Sequence, residues 1–391
     1  MVAAIELARA GQSVTVIEFS HVGGGATGSS MGVLSTPAAG AGFGDPDEVV
    51  HGRARKAWHR DRLAAQRYLL RLVKESAYDV DLQQGVVLLA PNETNLNLLE
   101  GTVKSRNQFY GTHDYVLSSE ELEQEGGGNV SKEFAGGLVM SEAHHVHPAK
   151  LILGLASLAR SLGVTICERT EVTDVQATKS GSRVTTNGGN LTAKDVLLAT
   201  GGYTPEVFRF LWERTLGVPS IVVASEDYRR EDVQSLFPSE RVLLVNKHCG
   251  YNCRPSPDGR RILLGGPLAK VRGSIDANVD VLRNYFSRLF PEVAHMEFTH
   301  CWTGSIAATR DSIGHSGAHQ NTWYSVGNSG LVSCADAGRR MAQNILHADE
   351  SAATADARFV RWPLRHSEPL LWRSIEYSTR LLDRFGKSRL R

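Results

Sequence analysis

The first eighteen residues most constrain what this chain can fold into. Residues 2–10, V-A-A-I-E-L-A-R-A, carry Val2, Ile5 and Leu7–Ala8 on one helical face, and Gly11 ends the run. An apolar stretch, Val14-Thr15-Val16-Ile17, follows and stops at Glu18. Helix, glycine, strand and terminal acid in that order form the second half of a dinucleotide-binding βαβ unit, whose acid accepts hydrogen bonds from a ribose hydroxyl. The first half is a strand running into G-x-G-x-x-G, about 20 residues ahead of the acid. That loop would fall just before Met1, so the pattern is that of an N-terminally truncated unit. A parallel sheet without a central strand leaves backbone groups unpaired and apolar surface open. Residues 1–391 are therefore expected to be poorly soluble or weak in cofactor binding.

The remaining chain is long enough for two domains, since 391 residues exceed one ordinary core. Its 43 basic and 42 acidic side chains leave a net charge of +1, which gives no electrostatic case for a nucleic-acid partner. No apolar run approaches the roughly 18 residues that would span a membrane, and the N-terminus lacks the basic and apolar regions of a signal peptide. The five cysteines are odd in number and scattered, which points to a reducing, cytoplasmic setting. Cys249 and Cys253 have no second pair to complete a zinc site, and His144, His145 and His147 have no acid or thiol beside them. These read as ordinary thiols and as strand or loop histidines, and no metal site is expected.

Three strand ends share one design. Glu18 is followed by a glycine-rich loop, Gly23-Gly24-Gly25-Ala26-Thr27-Gly28-Ser29-Ser30-Met31-Gly32. The stretch 193–199, apolar from Val196 to Ala199, reads as a buried strand entering Thr200-Gly201-Gly202. The strand 322–326 enters Gly327-Asn328-Ser329-Gly330, with a helix predicted over 335–346. Between them lie predicted helices from about Asp47 to Ser76, near 92–109, from Ser118, over 148–162 and over 276–289. Residues 79–90, 164–167, 171–175 and much of 215–300 read as strands, with a turn at Pro255-Ser256-Pro257-Asp258-Gly259. Glycine turns at strand ends let backbone N–H groups approach a phosphate or ring. Spread over some 310 residues, they suit one large dinucleotide crossing a sheet, which favours FAD over a nicotinamide cofactor held by a contiguous domain. Arg254, beside the turn, could clamp a carboxylate bidentately, and Trp302 could pack a flavin or an amine. A surface ion pair and a core aromatic are equally good local readings of those two.

The chain resembles the FAD-dependent amine and amino-acid oxidases of the D-amino-acid oxidase superfamily, and within it the gamma-glutamylputrescine oxidase-like branch. The resemblance rests on G-G-G-A-T-G-S-S-M-G at 23–32, H-P-A-K-L-I-L-G-L-A at 147–156 and D-V-L-L-A-T-G-G-Y-T at 195–204. It continues through Y-N-C-R-P-S-P-D-G-R-R-I-L-L-G-G at 251–266, H-C-W-T-G-S-I-A-A-T-R-D-S-I-G at 300–314 and G-N-S-G-L-V-S at 327–333.

The resemblance implies an α/β (α+β overall) fold: a discontinuous Rossmann-like FAD-binding domain at 1–50, 141–214 and 300–350, and a substrate domain with a large antiparallel sheet at 51–140 and 215–299. A helical tail would occupy 351–391. Glu18 would hold the adenosine ribose, Val172 would meet the adenine through its backbone, and Gly25, Ala26, Thr27, Ser29, Ser30 and Gly32 would run beneath pyrophosphate and flavin. Thr200, Gly201 and Gly202 would line the cofactor, with Gly327, Ser329, Gly330 and Leu331 near the ring. Trp302 and Arg254 would face the substrate. The implied reaction is hydride transfer from a substrate C–N bond to flavin N5, giving an imine, with O₂ or another acceptor reoxidising the flavin. Relatives that hold flavin covalently have a cysteine near Gly304, so glycine implies non-covalent FAD. A lysine typical of the sarcosine oxidases is absent from R-R-I-L-L-G-G, and Leu331 stands where many relatives have histidine. A remnant or binding protein with this fold and no turnover, and a nicotinamide-dependent dehydrogenase, are the competing readings.

Overall fold

Val2–Arg9 is a helix that buries Val2, Ala3, Ala4 and Ile5, and the chain turns away through Gly11 at φ +77°. Strand β1 (Thr15–Ile17) then pairs in parallel with β6 (Thr165–Cys167), with Val16 opposite Ile166. The computed structural model describes residues 1–35, 53–127, 130–245, 251–267, 274–311, 313–320, 322–347, 359–363 and 365–367. The helix Pro148–Ser161 feeds β6. Proline opens it, where a missing N–H costs nothing, and Leu151, Leu155, Ala156 and Ala159 form its buried stripe. Leu151, Leu155 and Ala159 pack with Ile5, Leu69, Leu72, Val332 and Ala335 into one core. A three-stranded antiparallel sheet, β7 (Val172–Thr178), β8 (Gly181–Thr186) and β9 (Gly189–Ala193), follows.

The run 193–199 is not one buried strand. Strand β9 ends at Ala193, and only Leu197–Leu198 form β10, both half-buried. Among the described residues β10 pairs only with β17 (Thr322–Val326), which in turn pairs with β16 (His315–His319). A strand with one neighbour forms half a ladder and keeps an open edge, which explains its shortness and exposure. The helix after β17 runs from Leu331 to His347, four residues earlier than the periodicity predicts. That start places Leu331 in its first turn.

The second body is a nine-stranded sheet. Its order is β15 (Phe298–Ala308), β11 (Leu216–Ser225), β14 (Ile262–Pro267), β13 (Tyr251–Pro255), β12 (Val242–Val245), β3 (Gln83–Ala90), β5 (Gly136–His145) and β2 (Val33–Leu34). Strand β4 (Tyr115–Ser118) also pairs with β5. Among the described residues every strand pairing in it is antiparallel except β12 with β3. The domain boundaries expected at 141 and 300 cut through β5 and β15, both of which pair along their length inside this sheet. Ile221, Val223, Cys253, Ile262 and Leu264 occupy one face, buried against Leu282 and Phe286 of the helix Ile275–Phe286 and against Phe290 and Val293. The expected tail helix lies largely outside the described residues; of those described in its span, Arg365–Ser367 form a short 3₁₀ turn. No helix among the described residues is long and apolar enough to cross a membrane.

Candidate active site

Alternation along a strand fixes which residues share a face. In the large sheet Asn252 pairs with Gly265, Gly265 with Val222, and Val222 with Trp302. The adjoining row is Arg254, Leu263, Ala224 and His300. Trp302 and Arg254 therefore lie on one face, opposite the apolar one, three strands apart or roughly 14 Å.

The glycine-rich loop crosses this face. Trp302 Nε1 donates to the Ser29 carbonyl at 2.9 Å. A methyl on Gly304 would overlap Ser29 Oγ, and one on Gly265 would come within 2.9 Å of Met31 Cγ. Ser29 Oγ is itself held by the Gly25 carbonyl at 3.2 Å, and Ser30 Oγ donates to the Thr27 carbonyl at 3.0 Å. Gly32 has φ +72°, and a side chain there would overlap the Val146 carbonyl. Here glycine is required both by conformation and by close approach.

The second strand end reaches the same place. Gly201 to Tyr203 form a 3₁₀ turn, and Thr200 and Thr204 join through their hydroxyls at 2.7 Å. Tyr203 is a site residue that the sequence reading passes over. Its hydroxyl accepts from Ser305 N–H at 3.0 Å, and its ring faces Gly25. The only sequence signal for it was an aromatic directly after Gly201-Gly202. Asn252, also missed, faces the loop side from β13.

Arg254 is placed differently from a solvent-facing clamp. It is 2% exposed, with Nη1 2.8 Å from His145 Nδ1 and Nη2 donating to the Val146 carbonyl at 3.0 Å. Burial lowers its pKa to about 10. Burial, helped by the Arg254 charge, also drives His145 down to about 3, so the imidazole is neutral and accepts the guanidinium hydrogen bond. Both terminal nitrogens of the fork are thus committed to β5 and its exit, which is the physical reason a free carboxylate clamp does not form. His144 shares β5, and His147 caps the helix Pro148–Ser161 by accepting from Lys150 N–H. None of the three histidines joins a metal-ligating group among the described residues.

Glu18 closes the turn after β1. Its carboxylate accepts from Ser20 N–H at 2.9 Å and its carbonyl from Thr170 N–H at 2.9 Å. Beside it, a cavity of about 260 Å³ is lined by Thr15, Ile17, Cys167, Thr170, Thr186 and Leu191. Val172 opens β7 directly after this rim. The third strand end, Gly327 to Gly330, leads into the helix Leu331–His347. Gly201 at φ +55° and Gly330 at φ +87° would each project a Cβ into open space.

Residues 1–344 match the family model described as FAD dependent oxidoreductase. The chain belongs to that family. This FAD-dependent oxidoreductase is 28% identical over 366 residues to a Haemophilus influenzae protein named "Probable oxidoreductase OrdL", covering 89% of this chain and 80% of that one. It is 25% identical over 367 residues to the gamma-glutamylputrescine oxidoreductase of Escherichia coli, covering 92% and 84%. In fold it is similar to the crystal structure of glycine oxidase from Geobacillus kaustophilus, with TM-score 0.73, 19% identity, and 93% and 95% of the two chains covered. The oxidoreductase's residues suit FAD in one testable respect. The glycine backbones at 201 and 330 are uncovered by side chains, and Gly25 approaches nothing but the Tyr203 ring. That is the surface that pyrophosphate and ring atoms need in order to reach peptide N–H groups.

Proposed function

We propose that this enzyme oxidises the C–N bond of a small amine or amino acid with non-covalent FAD, and that O₂ or another acceptor takes up the electrons. The observation that carries the reading is the convergence of loop 23–32, Gly202–Tyr203 and Trp302–Gly304 on one face of the large sheet. When bound, FAD supplies the hydride acceptor that converts the substrate C–N bond to an imine. The chain's own work is to bind, orient and keep water away. Glu18 takes a ribose hydroxyl and the Val172 backbone the adenine. Gly25, Ala26, Thr27, Ser29, Ser30 and Gly32 pass beneath the pyrophosphate and ring, and Thr200, Gly201, Gly202, Gly327, Ser329, Gly330 and Leu331 flank it.

Trp302 forms an indole wall whose N–H is already spent on Ser29, so it shapes the site through its ring. Arg254 acts as a positioning residue that ties β13 to β5 behind the substrate face. Non-covalent attachment is supported by Gly304, which offers no thiol and has no room for a side chain beneath Ser29. The test is to purify the full chain, titrate it with FAD, and add glycine, sarcosine or gamma-glutamylputrescine anaerobically while recording visible absorption. FAD uptake followed by bleaching with one of these supports the reading, and uptake without bleaching by any amine supports the inactive binding protein instead. Hydrogen peroxide formation on admitting air separates O₂ from another acceptor.

A further inference from the structure

We propose that Asp311 and His315 are positioning residues for the turn Gly327–Gly330, held from outside by Phe359. The proposal rests on the reading above that this turn faces the cofactor. His315 lies on β16 directly opposite Val326, the residue before Gly327. Its Nε2 stands 3.0 and 3.1 Å from the two carboxylate oxygens of Asp311. The same carboxylate accepts from Ile313 N–H at 3.3 Å, and the Thr309 hydroxyl donates to the Ile313 carbonyl at 2.7 Å. One buried imidazole, 1% exposed, is thereby linked through the Asp311 carboxylate to Ile313 and, through Ile313, to Thr309.

Those are the atoms on which the turn rests. A methyl on Gly327 would lie 2.6 Å from Thr309 Cγ2 and 2.8 Å from the Ile313 carbonyl, and one on Gly314 would overlap the Asn328 amide. With φ +75° at Gly327, the backbone of the turn packs directly on the Thr309 methyl and the Ile313 carbonyl, and a close-packed contact of this kind passes on a shift of either residue. The His315 ring stacks on Phe359 at 4.3 Å and 19°. Phe359 is itself anchored by Arg214 Nε donating to its carbonyl at 3.1 Å, and Trp362 Nε1 donates to the Ala308 carbonyl at 3.3 Å. The C-terminal segment thus braces the Asp311–His315 pair, and the pair braces the turn.

The test compares full-length wild type with Asp311→Ala, His315→Ala and Asp311→Asn, with Leu122→Ala as a core control far from the pair in sequence. Flavin fluorescence gives the FAD Kd, the visible spectrum reports the ring environment, and Tm is measured without FAD. Both alanine variants should raise Kd about tenfold, the scale of one lost charge-assisted hydrogen bond, and alter the flavin band. Asp311→Asn keeps an acceptor for Nε2–H and should restore most of the affinity, whereas Leu122→Ala should lower Tm and leave Kd unchanged. Alanine variants that lose Tm but keep wild-type Kd and spectrum overturn the proposal, as does an Asp311→Asn variant no better than Asp311→Ala. A wild-type chain that takes up no FAD overturns the proposal together with the functional reading beneath it, so the two failures are told apart.

Discussion

Gly304 shows how much one missing side chain decides. Gly304→Ala sets a methyl against Ser29 Oγ, and overpacking of this kind costs about 1–3 kcal/mol. Because Ser29 belongs to the loop assigned to the cofactor, the expected outcome is at least about tenfold weaker FAD binding by fluorescence titration. Adding Ser29→Ala should recover part of it, and a double variant as weak as the single one would sink the packing argument. Trp302→Phe keeps the wall and removes the donor to the Ser29 carbonyl, at about 1 kcal/mol. It should weaken FAD roughly fivefold, with little change in the Tm of the FAD-free protein. His145 makes a pH prediction. Its folded pKa of about 3 lies below the ordinary value of 6.5, so the unfolded chain binds the extra proton between those limits. Stability is then complete above about pH 6.5 and falls, by up to about 1.4 kcal/mol per pH unit, as the pH drops toward 3. In urea unfolding at pH 7.5 and 5.5, His145→Gln should show a smaller acid loss than wild type. Equal losses in both proteins would falsify the assignment.

At the scale of the element, the turn after β17 separates two reasons for glycine. Gly330 has φ +87° and open space where a Cβ would go, whereas Gly327 has φ +75° and meets Thr309 and Ile313. Gly330→Ala should cost about 1–2 kcal/mol of backbone strain alone. Gly327→Ala should cost measurably more in the same denaturation experiment, and equal losses would mean that turn and support can separate. The elements themselves were largely legible in the sequence. The stripe of Leu151, Leu155 and Ala159 behind Pro148 gave the helix, and Asn92 and Ser118 are the caps that the helices after them use. The stretch 193–199 misled because the apolar run Val196-Leu197-Leu198-Ala199 before the glycines reads as a buried central strand, while among the described residues Leu197–Leu198 pair on one side only. Local pattern reports burial in general and says nothing about which neighbour supplies it.

For the whole molecule, the prediction is one of linkage. If FAD binds the folded chain alone, saturation at about 100 times Kd should add about 2.7 kcal/mol of stability. A clear rise in Tm with FAD, and none with NAD at the same concentration, is the expected result, and the reverse order would point back to a nicotinamide enzyme. Residue types and their order, by themselves, determined the helix–glycine–strand–Glu18 opening, the three glycine-rich strand ends and the family they resemble. These are local in sequence, since a helical period or a glycine turn is written within a few residues. Only the tertiary structure decided that loop 23–32 lies across β14 and β15, that Tyr203 joins it, and that Arg254 spends its fork on His145 and Val146. Those contacts join residues more than a hundred positions apart. They depend on strand register, which sets the face each side chain occupies and is specified by the packing of the whole sheet.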